Sequence, residues 1–359
     1  MGLKELPSAP EWQFLFFEDS MNKALHRFAV VTACFTFALI IAGGMVTSTG
    51  SGLAVPDWPL SYGQVMPPMV GGIFYEHGHR MIASFVGFLT VILAFWLWKR
   101  DPRRWMRVLG LVALGAVIAQ GILGGLTVLY LLPTAISVSH AALAQSFFCL
   151  AALIALFTSK WWYEATPVLN DSTTRRVFLV SVLLAISVFL QLILGAVMRH
   201  TGSGLAIPDI PLAYGQILPS LTPESLQGYN DLQIKTDLRL AADGSLTAFQ
   251  VGIHFLHRLW ALVVLVVAIV AFIRFRSNAK VPDRLHFLSG SVLALILLQI
   301  SLGVITVLTR KHEIITTAHV ATGAVTLVFC VLLVFHVIKI GGVTLESLPY
   351  LRLRKEALV

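Results

Sequence analysis

Charged residues are scarce in this chain: Asp, Glu, Lys and Arg together make up 12% of its 359 residues, whereas 57% are hydrophobic. The shortage excludes a water-soluble globule, because one core of that size cannot hide so much apolar surface. A bilayer core of about 30 Å needs a helix of about 20 apolar residues. Eight stretches are long enough, and they predict an all-α integral membrane protein with transmembrane helices near 27–47, 80–98, 107–130, 136–158, 176–198, 254–274, 286–308 and 315–338.

Cysteine is also scarce, with three residues in the chain. Cys34, Cys149 and Cys330 all fall within predicted spans, which excludes a disulfide framework in the outside loops. The sequence contains no Walker loop, no zinc-type cysteine spacing and no hydrolase triad. These absences leave histidine as the main candidate for chemistry near the spans.

The net charge of +8 follows membrane topology and does not indicate a nucleic-acid partner. Lys and Arg are concentrated in alternate loops, which the positive-inside rule places in the cytoplasm. Both termini are then expected to be cytoplasmic. The first twenty residues lack the order of a cleavable signal and the Arg-rich composition of an organelle import peptide, so a bacterial inner membrane is the expected location.

An internal repeat organises the chain. The segment Thr49–Gln64 returns 152 residues later as Thr201–Gln216 with most positions matched. Such self-similarity predicts two four-helix halves, residues 1–160 and 161–359. An even number of spans in each half makes the repeats parallel, related by an axis along the membrane normal. The second half carries an insertion around 219–247, whose composition predicts a polar, turn-rich outer loop.

Four histidines recur with the repeat. His79 corresponds to His257 and His140 to His319, and all four are predicted to lie near the outside face of the membrane that the chain spans. A lone histidine at a span end is more often interfacial. Two ring nitrogens from facing helices, however, are what a six-coordinate haem iron needs as axial ligands, and a four-helix bundle supplies a slot for the macrocycle. The pairs therefore predict one haem site in each half.

Neighbouring residues support a haem site but have ordinary alternatives. Arg80 and Arg258 each follow a histidine, where a cation can pair with a haem propionate or simply snorkel to the membrane edge. Glycines near the sites can let a flat ring approach the backbone or can serve close helix packing. They are Gly43, Gly44, Gly121, Gly124, Gly125, Gly195 and Gly303.

The halves differ at Glu76, whose counterpart is His254. Glu76 lies three residues before His79, on the same helix face, where a carboxylate can act as acid or base or stabilise positive charge. The alternative is a solvated loop carboxylate. Trp58 likewise becomes Ile210, which predicts an aromatic lid over the first half only. The asymmetry predicts that the first half performs chemistry and the second holds a permanent cofactor.

Two further kinds of residue have supporting roles. The loop aspartates Asp57 and Asp209, each in a Pro-Asp-X-Pro frame, are expected to cap backbone amides and fix the loop shape. His77 and His254 are candidates for groups that support the iron ligands.

These residues resemble the haem A synthase family. The resemblance rests on the Thr-Gly-Ser-Gly-Leu-Ala loop with Pro-Asp-Trp-Pro, on residues 76–80, on His140, on His257 with Arg258, and on residues 317–319, and it covers nearly the whole chain. It implies an oxidoreductase that converts the C8 methyl group of haem O to the formyl group of haem A for terminal oxidases.

The resemblance also implies a role for each histidine pair. Haem b is held by the residues matching His257 and His319. The substrate haem O is bound by those matching His79 and His140, and Glu76 is needed for activity. Some members carry a cysteine pair in the first outside loop, which this chain lacks, so the electron donor stays open. The cysteine-free loop and the long insertion look like the subgroup of alphaproteobacteria and mitochondria.

The expected partners are haem O, haem A and membrane lipid. Haem O synthase, cytochrome oxidase assembly factors, an electron donor and a second copy of the chain are further candidates. Two other classes of protein remain open. A dihaem b-type electron-transfer protein would have equivalent halves, and a transporter would carry charged or broken helices near the midplane.

Overall fold

The computed structural model describes residues 11–169, 171–236 and 245–342, and these are mostly helical. Helices are the natural outcome, because backbone polar groups in lipid must find their hydrogen-bond partners within their own segment. The helices are α1 (Glu11–Ser48), α2 (Gly72–Arg100), α3 (Arg104–Leu129), α4 (Thr134–Phe157), α5 (Lys160–Glu164), α6 (Asp171–His200), α7 (Pro223–Lys235), α8 (Ala248–Arg276), α9 (Asp283–Leu308) and α10 (Glu313–Gly341).

Eight of these helices are long and apolar enough to cross a membrane, which confirms the predicted all-α fold with eight spans. Two predicted boundaries were wrong. The second span was expected to begin at residue 80 and the sixth at 254, but α2 begins at Gly72 and α8 at Ala248. Hydropathy missed these first turns because they carry polar side chains such as Glu76 and His254, both of which are buried.

Each half forms its own ring of four spanning helices. In the first half α1 packs on α2 and α4, and α3 packs on α2 and α4. In the second half α6 packs on α8 and α10, and α9 packs on α8 and α10. The halves meet through α1, α4, α6 and α10. Since α6 corresponds to α1 and α10 to α4, equivalent helices lie at the interface, as a parallel repeat requires.

The apolar core is continuous across this interface. One buried cluster joins Ile40 and Phe148 of the first half to Leu184, Ala324 and Cys330 of the second. A second cluster around Leu93, Leu97 and Ile154 lies in the first half, with Leu332 and Phe335 of α10 packed against it. Many other apolar side chains are exposed on the outside of the bundle, where lipid would cover them. The halves are therefore packed as one body around a shared core.

The repeated segments Thr49–Gln64 and Thr201–Gln216, which follow α1 and α6, form matching hairpins. We call them the first and the second hairpin. Tyr62 and Tyr214 both have φ of 54°, and isolated bridges join Ser61 to Gln64 and Ala213 to Gln216. The carboxylate of Asp57 accepts hydrogen bonds from the N–H groups of Tyr62 and Gly63 at 2.7 and 2.8 Å. Asp209 does the same in the second hairpin. The predicted capping role of both aspartates is confirmed. We call the end of the bundle that carries the two hairpins the histidine side, because His79, His140, His257 and His319 lie towards it.

The insertion around 219–247 is not the turn-rich loop that its composition predicted, because it contains α7. The helix begins at a Thr222 cap, which accepts a hydrogen bond from Ser225 N. The ring of Tyr229 on α7 stacks on Tyr214 at a centroid distance of 3.7 Å, and Gln233 Nε2 donates to Tyr214 Oη at 2.8 Å. The insertion thus covers the second hairpin, and the first hairpin has no counterpart to it in the described chain.

Candidate functional site

The structure brings each predicted histidine pair together. His79 on α2 interacts electrostatically with His140 on α4, and His257 on α8 interacts in the same way with His319 on α10. All four side chains lie near the histidine side. His79 and His257 lie deeper than expected, roughly two turns inside their helices, because α2 begins at Gly72 and α8 at Ala248. The pairs therefore sit between facing helices, one pair within each half.

A glycine on a neighbouring helix makes room for every one of these imidazoles. A methyl group added at Gly43 would lie 3.1 Å from Nε2 of His79, and one at Gly195 would lie 3.1 Å from Cε1 of His257. Gly124 and Gly303 are in the same relation to Cε1 of His140 and His319, at 3.3 Å each. A side chain at these positions would push the ring away, so the glycines set where each imidazole sits.

The other predicted glycines have different neighbours. An added methyl group at Gly125 would lie 2.6 Å from the ring of Trp58, and one at Gly44 would lie 3.1 Å from Thr317. Gly121 has no described neighbour within 4 Å. Of the two expected roles, close packing applies to Gly44 and Gly125.

The ring nitrogens are consistent with metal ligation. Nδ1 of His140, His257 and His319 is buried and has no hydrogen-bond partner among the described residues. A buried polar atom left without a partner is costly. The described residues contain no group of three or more His, Cys, Asp or Glu side chains arranged for a bare metal ion. Two nitrogens are nevertheless enough for a haem, whose macrocycle supplies the four equatorial ligands, so the donor set fits that group.

Glu76 is not the solvated loop carboxylate of the alternative expectation. Its side chain is 5% exposed. Oε1 forms a 2.6 Å ion pair with Nη2 of Arg80, and Oε2 accepts a 2.8 Å hydrogen bond from the backbone N–H of Val55. Oε2 therefore connects α2 to the first hairpin, and Oε1 holds the guanidinium of Arg80 on the same helix.

His254 takes over this position in the second half. Its Nδ1 lies 3.2 Å from the backbone N of Ile207 and its Nε2 lies 3.1 Å from Arg258 Nε. A neutral imidazole accepts a hydrogen bond at only one of its two nitrogens, so His254 satisfies one of these donors at a time. The geometry is the same as at Glu76, but the anion is replaced by an imidazole. We call each set a hairpin clamp: Glu76 with Arg80 in the first half, and His254 with Arg258 in the second.

The two arginines are held in a way that neither expectation anticipated. Arg80 donates from Nη1 to the carbonyls of Asp57 and Leu60 at 2.8 and 2.9 Å. Arg258 donates from Nη1 to the matching carbonyls of Asp209 and Leu212. Both guanidinium groups therefore fix the hairpins onto the helices. Propionate binding by either arginine stays a prediction. A propionate would have to share the guanidinium N–H groups with the hairpin carbonyls.

Two glutamines missed by sequence reasoning hold the second pair of histidines. Gln191 Nε2 donates to the carbonyl of His257 at 3.1 Å and lies 3.2 Å from its Nε2. Gln299 Nε2 donates to the carbonyl of His319 at 2.7 Å. Leu39 occupies the position in the first repeat that Gln191 occupies in the second, so the first half lacks one of these contacts. The available signal was an uncharged polar residue inside an apolar span.

The first half has a polar pair that the second half lacks. His77 is buried, and its Nδ1 lies 2.8 Å from Oγ of Ser61. The repeat replaces these residues by Phe255 and Ala213. Nε2 of His77 is buried with no partner among the described residues, and the side chain lines a groove between the first hairpin and α2. The ring of Trp58 packs against Gly125 of α3, and its role as a lid stays a prediction.

Fold and site together define a class: a multi-pass membrane protein of two parallel four-helix units, each with a buried histidine pair that suits a haem. Known proteins agree with this class. Residues 26–72 and 70–331 match the sequence profile of a family described as Cytochrome oxidase assembly protein.

Curated relatives carry a more specific name. The Heme A synthase of Shouchella clausii (strain KSM-K16) is 30% identical over 57% of this chain and 69% of its own length. The Heme A synthase of Alkalihalophilus pseudofirmus is 30% identical over 56% of this chain and 68% of its own. That of Bacillus licheniformis is 28% identical over 54% and 64%. The chain belongs to this haem A synthase family of cytochrome oxidase assembly proteins.

Proposed function

We propose that this protein is a haem A synthase, an oxidoreductase that converts the C8 methyl group of haem O to the formyl group of haem A for cytochrome oxidase. Membership of the family supports the proposal. The observation that carries the division of labour is the asymmetry of the two hairpin clamps: a buried carboxylate, Glu76, stands three residues before His79 on α2, whereas His254 stands three residues before His257 on α8. The site is expected on the periplasmic side of a bacterial inner membrane.

The second half holds the permanent cofactor, haem b, through His257 and His319. Gln191 and Gln299 anchor the backbone at these ligands. Helix α7 covers the adjacent hairpin and limits access from the histidine side. When bound, this haem supplies one-electron chemistry at its iron.

The first half binds the substrate through His79 and His140, without a covering helix and without the Gln191 contact. Such a site suits a molecule that must enter and leave. The methyl group would undergo two successive oxidations to a geminal diol, each of which adds one oxygen atom and needs an external two-electron oxidant, and the diol would then lose water to give the formyl group.

The described residues of the first half supply charge and a route for protons. The carboxylate of Glu76 lies beside the substrate ligand and can stabilise positive charge that develops on the substrate. Its partner Arg80 and the Val55 N–H keep it in one place. Nε2 of His77 faces no described partner, so His77 can exchange a proton there while Ser61 fixes the other ring nitrogen.

A dihaem electron-transfer protein is the alternative, and it is not favoured. It requires two equivalent sites, whereas the clamps, the glutamines and the covering helix all differ between the halves. A transporter is also disfavoured, since the only acidic side chain buried within the described spans, Glu76, lies at the histidine side.

The test is the identity of the haems in the purified full-length protein, made in cells that supply haem O. Mass spectrometry and absorption spectroscopy of the extracted haems should find haem b together with haem O or its C8-oxidised products. Haem b in both sites, with no oxidised product, would identify the electron carrier instead.

A further inference from the structure

The second half carries cations at its histidine end that the first half lacks. Three positions differ in this way when the repeats are aligned, and each exchanges a neutral residue for a basic one. They are Thr47 and Arg199, Leu131 and Arg310, and Leu132 and Lys311. This difference concerns the rim of the bundle and is separate from the hairpin clamps.

Arg199 lies next to the second haem site. It is four residues, or one helical turn, beyond Gly195, the residue that contacts the ring of His257. Residues at this spacing share a helix face, so Arg199 is on the His257 face of α6, one turn nearer the histidine side. The guanidinium also interacts electrostatically with His319, the second histidine of that site.

The charge of Arg199 has no anionic partner in the described structure. Its Nη2 donates to the carbonyl of Gly44 at 2.9 Å and to Oγ of Ser48 at 2.8 Å. No described Asp or Glu lies within 4.0 Å. Nε and Nη1 donate to none of the described residues. A half-buried cation without a counter-charge is unfavourable, so the position is suited to an anion.

Lys311 brings a second positive charge to the same place. Its aliphatic chain passes Gly204, where an added methyl group would lie 3.3 Å from Cδ. Burial, together with the nearby charge of Arg199, lowers the pKa of Lys311. The two cations repel each other, and an anion between them would remove the repulsion.

Arg310 is also basic where the first repeat has a neutral residue, but its side chain lies near the end of α7 and not beside Arg199. Its Nη2 lies 3.4 Å from the carbonyl of Thr236, at the end of α7, and the side chain is exposed. Arg310 is therefore a matched control for charge at this rim.

We propose that Arg199 and Lys311 form a carboxylate-binding site that holds the propionates of the haem ligated by His257 and His319. A guanidinium fork and an ammonium group suit two neighbouring carboxylates at one edge of a macrocycle. The first half has Thr47 and Leu132 at these positions, so its haem lacks this anchor and exchanges more readily. The inference rests on the proposed function only in placing a haem in the second half.

The test measures how fast haem b leaves the second half, by transfer to excess apomyoglobin, without any turnover. The proteins compared are the full-length chain and its R199Q, K311Q and R310Q variants, each in a background with H79A and H140A so that one site remains. R199Q and K311Q should release haem about ten- to a hundredfold faster, the usual effect of losing a charge-assisted hydrogen bond. R310Q should match the parent.

A second experiment controls for misfolding of R199Q, because the native Arg199 side chain also contacts α1. Haem dimethyl ester, which has no carboxylate, should leave the parent site as fast as natural haem leaves R199Q, and R199Q should no longer distinguish the two haems. Equal release of haem and its ester from the parent would overturn the proposal, as would equal rates for R199Q and R310Q. These outcomes do not depend on whether haem O is oxidised.

Discussion

The two halves of this protein have the same hairpin clamp and differ in its chemistry. Arg80 and Arg258 hold equivalent carbonyls on equivalent hairpins, yet the first is paired with a carboxylate and the second with an imidazole. The second half therefore keeps the same hairpin without an anion at this position, although His254 can accept from only one of the two donors that Glu76 satisfies together. From this comparison we propose that Glu76 is present for its charge as well as for its hydrogen bonds.

Replacement of Glu76, the clamp residue that differs between the halves, should have the largest effect on activity. Glu76→Gln keeps hydrogen-bonding atoms but removes the charge, and we expect the rate of haem A formation to fall about a hundredfold or more, the usual range for loss of an acid–base or charge-stabilising group. Both haems should remain bound. The measurement is haem A formed per protein, with haem content determined on the same sample.

Glu76→His gives the matched control, because it copies the second-half clamp into the first half. The variant should fold and bind haem but fail to make haem A. Normal haem A production by either variant would remove Glu76 from the mechanism.

The glycines under the histidines should give the next largest effect. Gly195→Ala and Gly43→Ala each place a methyl group 3.1 Å from an imidazole atom, and overpacking of this kind costs about 1–3 kcal/mol. We expect haem affinity in the affected half to fall about tenfold, with a shifted low-spin electron paramagnetic resonance signal. Gly121→Ala, where no described atom lies within 4 Å, is the control and should change neither property.

The helix that covers the second hairpin should have a smaller effect. Tyr229→Ala removes the ring that stacks on Tyr214 at 3.7 Å, a contact of about 1 kcal/mol beyond its burial. Hydrogen exchange of α7 should then accelerate several-fold, and haem b should be released slightly faster. Unchanged exchange in α7 would show that the stack does not hold this helix in place.

The smallest expected effect concerns the pH response of the first hairpin. Hydrogen bonds from the N–H groups of Gly63 and Tyr62 lower the pKa of Asp57 below its usual value of 3.8. The folded hairpin is therefore stabilised by the ionised form at pH values above about 4, and this stabilisation is lost as the pH falls through the lowered pKa. Limited proteolysis of residues 51–71 should show opening only in acid, whereas Asp57→Asn should remove that dependence.

Much of the fold followed from the sequence because lipid imposes simple rules. Eight apolar runs predicted the eight spans, and the recurrence of the histidines predicted a buried histidine pair in each half. The first turns of α2 and α8 were missed because their polar residues find partners in the hairpins: the partner of Glu76 is the N–H of Val55, 21 residues away. Contacts of that kind have no periodic signal.

Two other features escaped prediction for different reasons. Helix α7 lies in a segment whose Pro, Gly and Asn content resembles a loop, and it is held by tertiary contacts such as Gln233 with Tyr214. In the sequence, Arg199 is only one more basic residue at the end of an apolar span. Its position beside Gly195 becomes meaningful only once α6 and α8 are packed together.

The most direct test of a division of labour between the halves is haem analysis of the variant pair His79→Ala and His257→Ala, purified from cells that supply haem O. The account predicts haem b alone in the His79→Ala protein. It predicts loss of haem b, with retention of haem O, in the His257→Ala protein, and no haem A from either. The same haem composition in both variants would contradict it.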